Sequence, residues 1–162
     1  MTDTLRSICG QCTYLKNPRL DFIPTNLARH KEIILRDLRE LVSVASSEHE
    51  KACVVLAGSV LEAILFSFLQ GQETKIGERR GRRFAFDPSQ SLQYYLDTFN
   101  RWFGRDFPNL ELPDVLVDYR NLVHFNQQLN SPTDECGRAA RTLLRTLESL
   151  IRELSAYGRT AR

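Results

Sequence analysis

The chain has 162 residues, enough for one domain with a core of its own. Apolar residues make up 42% and charged residues 26%, which excludes a disordered polymer. A formal net charge of +2 excludes a globally basic nucleic-acid binder, so any basic site has to be local.

The N-terminus, MTDTLRSICG, has no apolar h-region, so no cleavable secretory signal is expected. The four cysteines then read as thiols rather than as a disulfide framework, and the expected compartment is the cytoplasm. Residues 1–27 carry Pro18, Pro24 and a CGQC but no sustained period; they predict a short helix or an irregular arm. Ala28 to Ser46 places Ile33, Ile34, Leu38, Leu41, Val42 and Ala45 at helical spacing opposite Lys31, Asp37 and Glu40, which predicts an amphipathic helix. Ser46 or Ser47 suits the cap of the next helix, with Glu48 and Glu50 favourable in its first turn.

That next helix, ACVVLAGSVLEAILFSFL (Ala52 to Leu69), is apolar almost all round, with Glu62 near its middle. It is barely long enough to span a bilayer, and a carboxylate there is costly in lipid. A buried core helix is therefore expected, with no membrane contact. Gln70-Gly71 ends it, and Gly71 to Pro88, GQETKIGERRGRRFAFDP, reads as a loop with five cations. Asp87-Pro88-Ser89 opens a helix to about Phe103, and Trp102, Phe103 and Phe107 form an aromatic knot before Pro108. Pro113 starts a helix that runs to Leu129. Asn130-Ser131-Pro132-Thr133 ends it and caps the last helix.

The last helix carries a stripe of Ala140, Leu143, Leu144, Leu147, Leu150, Ile151 and Leu154, read as a core face rather than a partner surface. There is no strand pattern, repeat or low-complexity tract. The expected fold is all-α, an antiparallel four- to five-helix bundle over residues 28–157, with a tail at 158–162.

The most informative stretch is DYRNLVHFNQQL, Asp118 to Leu129. At about 100° per residue, Leu112, Val115, Leu116, Tyr119, Leu122 and Val123 form one apolar stripe. Val117, Arg120, Asn121, His124 and Gln128 fall on the opposite side, facing away from the bundle. Arg120 and His124 are then one turn apart. Histidine suits proton transfer near neutral pH. Arginine offers a fixed fork for phosphate oxygens. Asparagine orients a neighbour or donates to an oxyanion. Together these residue types fit metal-independent phosphodiester cleavage. In RNA the substrate's own 2′-hydroxyl supplies the nucleophile. One helix contributes one arginine and one histidine, and a second copy across a two-fold axis would double the set.

The helix VDYRNLVHF, the helix ACVVLAGSVLEAILFSFL and the long amphipathic C-terminal helix resemble the HEPN superfamily, over roughly Ala28 to Tyr157. The likeness is nearest to a bacterial branch in which a DYRNLxH helix follows a LAGSxLE helix. The resemblance implies a HEPN-like four- to five-helix bundle, a homodimer, and a metal-independent ribonuclease of bacterial toxin–antitoxin, phage-defence or CRISPR systems. It implies His124 as general acid/base, Arg120 as stabiliser of phosphorane charge and Asn121 as its aid. The spacing from Arg120 to His124 is shorter than the family's usual one. Asn126 stands where nucleotidyltransferase-paired members carry a modified tyrosine. The alternative the resemblance implies is a non-catalytic interaction module that binds a partner protein or a nucleotide.

Lys75, Arg79, Arg80, Arg82 and Arg83 form a candidate nucleic-acid-binding cluster that would contact phosphates, with Phe84 and Phe86 able to stack on bases; the alternative is a solvated loop partly neutralised by Glu73 and Glu78. Glu62 is either a buried partner for an arginine such as Arg120 or an exposed edge of its helix. With Gln128 it makes a candidate support for the site. CGQC has the spacing of half a zinc site, against ordinary thiols at Cys9 and Cys12. His30 and His49 read as surface residues. No metal or cofactor is expected. The expected partners are RNA, a second copy, and an antitoxin or defence-system protein.

Overall fold

A computed structural model describes residues 3–122, 124 and 134–160. The described residues are all-helical, with no strand among them. In chain order the helices are α1 (Leu5–Gln11), α2 (Thr13–Lys16), α3 (Ala28–Ser46), α4 (Glu50–Gly71), α5 (Glu73–Arg80), α6 (Leu92–Phe103), α7 (Val115–Asn121) and α8 (Glu135–Thr160); a 3-10 turn at Thr25–Leu27 precedes α3. Gln127, Gln128 and the expected stop at Asn130–Thr133 lie outside the described residues.

α4 is the central helix. It packs on α3, α6, α7 and α8, and such a helix has to be apolar on most of its circumference. Cys53, Val54, Ala57, Val60, Leu61, Ile64, Leu65, Phe68 and Leu69 are all within 1% of complete burial. Among the described residues it is the one helix long and apolar enough to cross a membrane, with a mean hydropathy of 2.2, yet 61% of that window is buried against the rest of the chain. α8 meets it with the expected stripe: Ala140, Leu143, Leu144, Leu147, Leu150, Ile151 and Leu154 are fully buried. Each large apolar side chain buried this way contributes about 1.5–3 kcal/mol of transfer free energy. Phe68 gathers Phe22, Phe99, Phe103, Phe107 and Tyr157 at ring-centroid distances of 5.0–6.4 Å. The aromatic knot therefore closes on α4; Phe103 and Phe107 are its buried members and Trp102 stays half-buried.

Of the two readings of residues 1–27, short helix or irregular arm, the helical one is observed, as α1 and α2. Leu5, Ile8, Cys9, Cys12, Leu15, Leu20, Phe22 and Ile23 all join the core. Two bundle glutamates hold these short helices by their N-termini, where backbone N–H groups lack intrahelical partners. Glu48 accepts from Leu5 and Arg6 N–H at 3.1 and 2.9 Å, and Glu148 accepts from Tyr14 and Leu15 N–H at 3.0 and 2.9 Å. Glu48 thus caps α1 rather than starting α4, whose N-cap position is His49 with no side-chain bond. At the other end, α8 runs to Thr160, so residues 158–160 continue the helix instead of forming a tail.

The segment read as a loop contains a helix. In α5, Glu73 lies in the first turn and Arg79 and Arg80 in the last, which suits the helix dipole, and Ile76 is fully buried beneath it. Its glycines mislead when read as loop signals. Gly77 admits the returning chain: a Cβ there would lie 3.3 Å from the Arg82 carbonyl and 3.4 Å from the Phe84 nitrogen. Gly81, at φ 73°, ends the helix in the left-handed conformation. α6 begins later than Asp87-Pro88-Ser89, at the N-cap Ser91. Asp87 instead folds the preceding turn, accepting from Ser89 N–H at 2.9 Å, Ser89 Oγ at 2.7 Å and Gln90 Nε2 at 2.8 Å.

Candidate functional site

α7 is shorter than its sequence pattern. It ends at Asn121, Leu122 follows in a turn, and His124 sits in a bend with its N–H bonded to the Asn121 carbonyl at 3.1 Å. Arg120 and His124 are therefore not on one continuous helix. The expected apolar stripe is partly realised: Leu112, Leu116 and Leu122 are buried, Tyr119 is half-buried and Val115 is exposed. Val123 lies outside the described residues.

Arg120 does not face away from the bundle. α7 packs against both α4 and α8, so more than one of its faces is covered. A helical wheel with a single core direction misplaces the side chains between them. The Arg120 stem lies across α4 directly over Gly58, where a Cβ would come 2.7 Å from Arg120 Cγ and 3.2 Å from its Cβ. Gly58 is the groove that lets the arginine pass. One turn further along α4, Glu62 accepts from Arg120 Nη2 at 3.0 Å, and Asn121 Oδ1 accepts from Nη1 at 3.3 Å. The ion pair is half-exposed, with side-chain accessibility of 41% for Arg120 and 30% for Glu62. Of the two readings of Glu62, the partnership with Arg120 is the one observed. His124 is exposed beyond the end of α7. Gln128 is outside the described residues.

On its other side Glu62 borders an apolar groove of about 340 Å³ between α3 and α4, lined also by His30, Ile33, Ser59, Phe66 and Ser67. His30 is half-buried here, not a surface residue: its Nδ1 is 3.1 Å from Ser67 Oγ and its ring lies 5.4 Å from that of Phe66. Nothing local in the sequence signals this contact, because Ser67 is brought to His30 by the α3–α4 packing. His49 is exposed, as expected.

No protein-family model, no curated protein and no solved structure matches the chain.

The five cations expected to act together do not form one cluster: two brace helices, two line a cleft, and Arg83 does neither. Lys75 turns inward, bonding the Tyr157 hydroxyl and lying over its ring at 4.6 Å. Arg79 bonds the Trp102 carbonyl and pairs with Asp106 at 2.8 Å, its guanidinium 5.1 Å from the Phe103 ring. Both act as braces between helices. Arg80 and Arg82 instead line an open cleft of about 550 Å³ with Arg101 of α6, a residue the sequence pattern did not single out. Phe84, Tyr94 and Trp102 complete its walls. Arg83 is exposed and outside that lining. Phe86 does not reach solvent as a stacking platform: it is buried against Phe66, Tyr94 and Tyr95.

Among the described residues no three His, Cys, Asp or Glu side chains converge as a metal site. Cys9 and Cys12 are buried, and burial raises both thiols, Cys12 to about 11. Burial pushes Cys53 up to about 12. Thiols held protonated in this way are poor nucleophiles and poor ligands.

Proposed function

We propose that the chain is an antiparallel HEPN-like bundle acting in the bacterial cytoplasm as a metal-independent endoribonuclease, within a defence or toxin–antitoxin system. The observation that carries this reading is the way Arg120 is held. Its stem is seated over Gly58, its guanidinium is fixed by Glu62 and Asn121, and it remains 41% accessible. A half-exposed arginine ordered before any ligand arrives suits a phosphate in flight between two oxygens. In the proposed reaction the substrate 2′-oxygen attacks the adjacent phosphorus and the bond to the 5′-oxygen breaks. The products are a 2′,3′-cyclic phosphate and a 5′-hydroxyl. Arg120 meets the charge on the phosphorane, and exposed His124 moves a proton at the 2′- or the 5′-oxygen. One copy offers one histidine for two proton transfers, so the reading includes a homodimer with both motifs along one groove. Val55 supports this arrangement. It is an exposed large apolar side chain on α4, one turn before Gly58 on the face that Arg120 crosses.

A second reading is a non-catalytic module that binds a partner protein through this surface. It is favoured by the end of α7 at Asn121 and by the Glu62 contact, which offsets the charge a phosphate would meet. One experiment separates the two: incubation of mixed cellular RNA with the wild type, His124→Ala and Arg120→Ala in EDTA, with oligomeric state measured on the same samples. Cleavage by a dimeric wild type, lost in both folded variants, upholds the ribonuclease. A clean dimer that leaves RNA intact while leaving the variants equally folded rejects it in favour of the module.

A further inference from the structure

The cleft between α5 and α6 has a composition that its structural role does not explain. Arg80 ends α5, Arg82 follows the Gly81 turn, and Arg101 projects from the last turn of α6. All three are exposed, and all three line the same cavity of about 550 Å³. Among the described residues none of them pairs with a carboxylate, whereas neighbouring Arg79 is tied to Asp106. Three guanidinium groups drawn to one concavity repel one another unless an anion joins them. The aromatic walls, Phe84, Tyr94 and Trp102, are half-buried and line the cleft. Arg80 lies 5.8 Å from the Phe84 ring and Arg101 5.9 Å from the Trp102 ring, so cation and π-surface alternate around the opening. Asp97, also in the lining, accepts from Gln93 Nε2 through Oδ1 at 3.0 Å; its one negative charge offsets only part of the three guanidiniums, so the cleft stays net positive.

Flat π-faces beside convergent guanidiniums match a ligand with an aromatic ring at one end and phosphate at the other, and the volume suits a ligand of that size. We propose that this cleft binds a nucleotide unit. The phosphate lies among Arg80, Arg82 and Arg101, and the base stacks against the Trp102 and Phe84 side of the wall. The unit is either free or one residue of a single-stranded RNA. The site requires neither Arg120 nor His124, and it stands whether or not the chain cleaves RNA.

Trp102 is the only tryptophan in the chain, so its fluorescence reports occupancy of the cleft directly. The experiment titrates full-length wild type with adenosine 5′-monophosphate and, separately, with a hexa-adenylate RNA, using inorganic phosphate as a control. It repeats both titrations with Arg82→Ala/Arg101→Ala and with His124→Ala. Saturable quenching is expected in the wild type and in His124→Ala. The double variant should bind at least about tenfold more weakly. Its RNA affinity should also depend less on salt, since each phosphate that an arginine neutralises contributes about 0.7 to the log–log slope. Quenching by the mononucleotide marks a free-nucleotide pocket, and quenching by the RNA alone marks a strand-bound unit; either upholds the site. Both arginines are exposed, so the double variant should keep the wild-type unfolding midpoint. Absence of quenching by both ligands up to millimolar concentration, or undiminished affinity in the folded double variant, overturns the assignment.

Discussion

Replacing Gly58 with alanine isolates the contact on which the candidate site is built. In the middle of an exposed helix this substitution stabilises by up to about 1 kcal/mol, because alanine is the better helix former. Here the new methyl group would lie 2.7 Å from Arg120 Cγ, 3.2 Å from its Cβ and 3.6 Å from its Cα. Those atoms are the root of the side chain, not its flexible end, so relief requires a new Arg120 rotamer or a shift of α7. Overpacking of this kind costs about 1–3 kcal/mol, and the half-exposed pair with Glu62 that breaks with it contributes at most about 1 kcal/mol. The net expectation is a destabilisation of about 1–2 kcal/mol. With Arg120→Ala in the background the Cγ is gone, and the remaining 3.2 Å contact needs only a few tenths of an ångström of give. Gly58→Ala should then be neutral or stabilising. The double-mutant cycle should give a coupling of about 1–3 kcal/mol, measured by urea unfolding followed through Trp102 fluorescence and far-UV circular dichroism. Equal effects of Gly58→Ala in both backgrounds would refute the seat for Arg120 over α4.

Three further outcomes are expected. Glu62→Gln should change unfolding free energy by less than about 1 kcal/mol, because the pair it breaks is half-exposed; if Arg120 acts on RNA, the same variant should lower the cleavage rate under conditions where it remains fully folded. In native protein at mildly alkaline pH, a thiol reagent should label Cys136 before Cys9, Cys12 and Cys53: burial raises all four thiols, but Cys136 is only half-buried and so within reach, while the other three are shielded and Cys12 and Cys53 are raised furthest. Mass spectrometry showing Cys53 modified first would contradict the packing of α4. The Arg6 backbone N–H, with the Thr4 hydroxyl and the Leu5 N–H, holds the Glu48 carboxylate below its ordinary 4.5. A carboxylate lowered on folding adds stability above its unfolded value, and that stability is lost as pH falls through the folded value. The melting temperature of Glu48→Gln should therefore lie below wild type at neutral pH and converge with it in acid; a gap that persists at the lowest pH would assign Glu48 another role.

Amphipathic periodicity is local, and where it dominates the sequence determined the result. The bounds of α3, the all-round apolar character of α4 and the core stripe of α8 follow from side-chain spacing alone, because each is long enough for its pattern to outweigh its ends. The partnership of Glu62 with Arg120 was one of two readings the sequence left open, and only the packing of α7 across α4 decided between them. Tertiary structure decided the rest. α5 was hidden because its glycines look like breakers, although one accommodates the chain folding back and the other terminates the helix. The candidate site was legible in its residue types but not in its geometry. A wheel assumes one core, whereas α7 packs against two helices, and so Arg120 lies over Gly58 instead of facing solvent beside His124. Arg101 entered the basic cleft, and His30 the groove beside Glu62, only through packing between helices distant in sequence. Such contacts leave no periodic trace, because they depend on where two elements meet and not on what either would form alone.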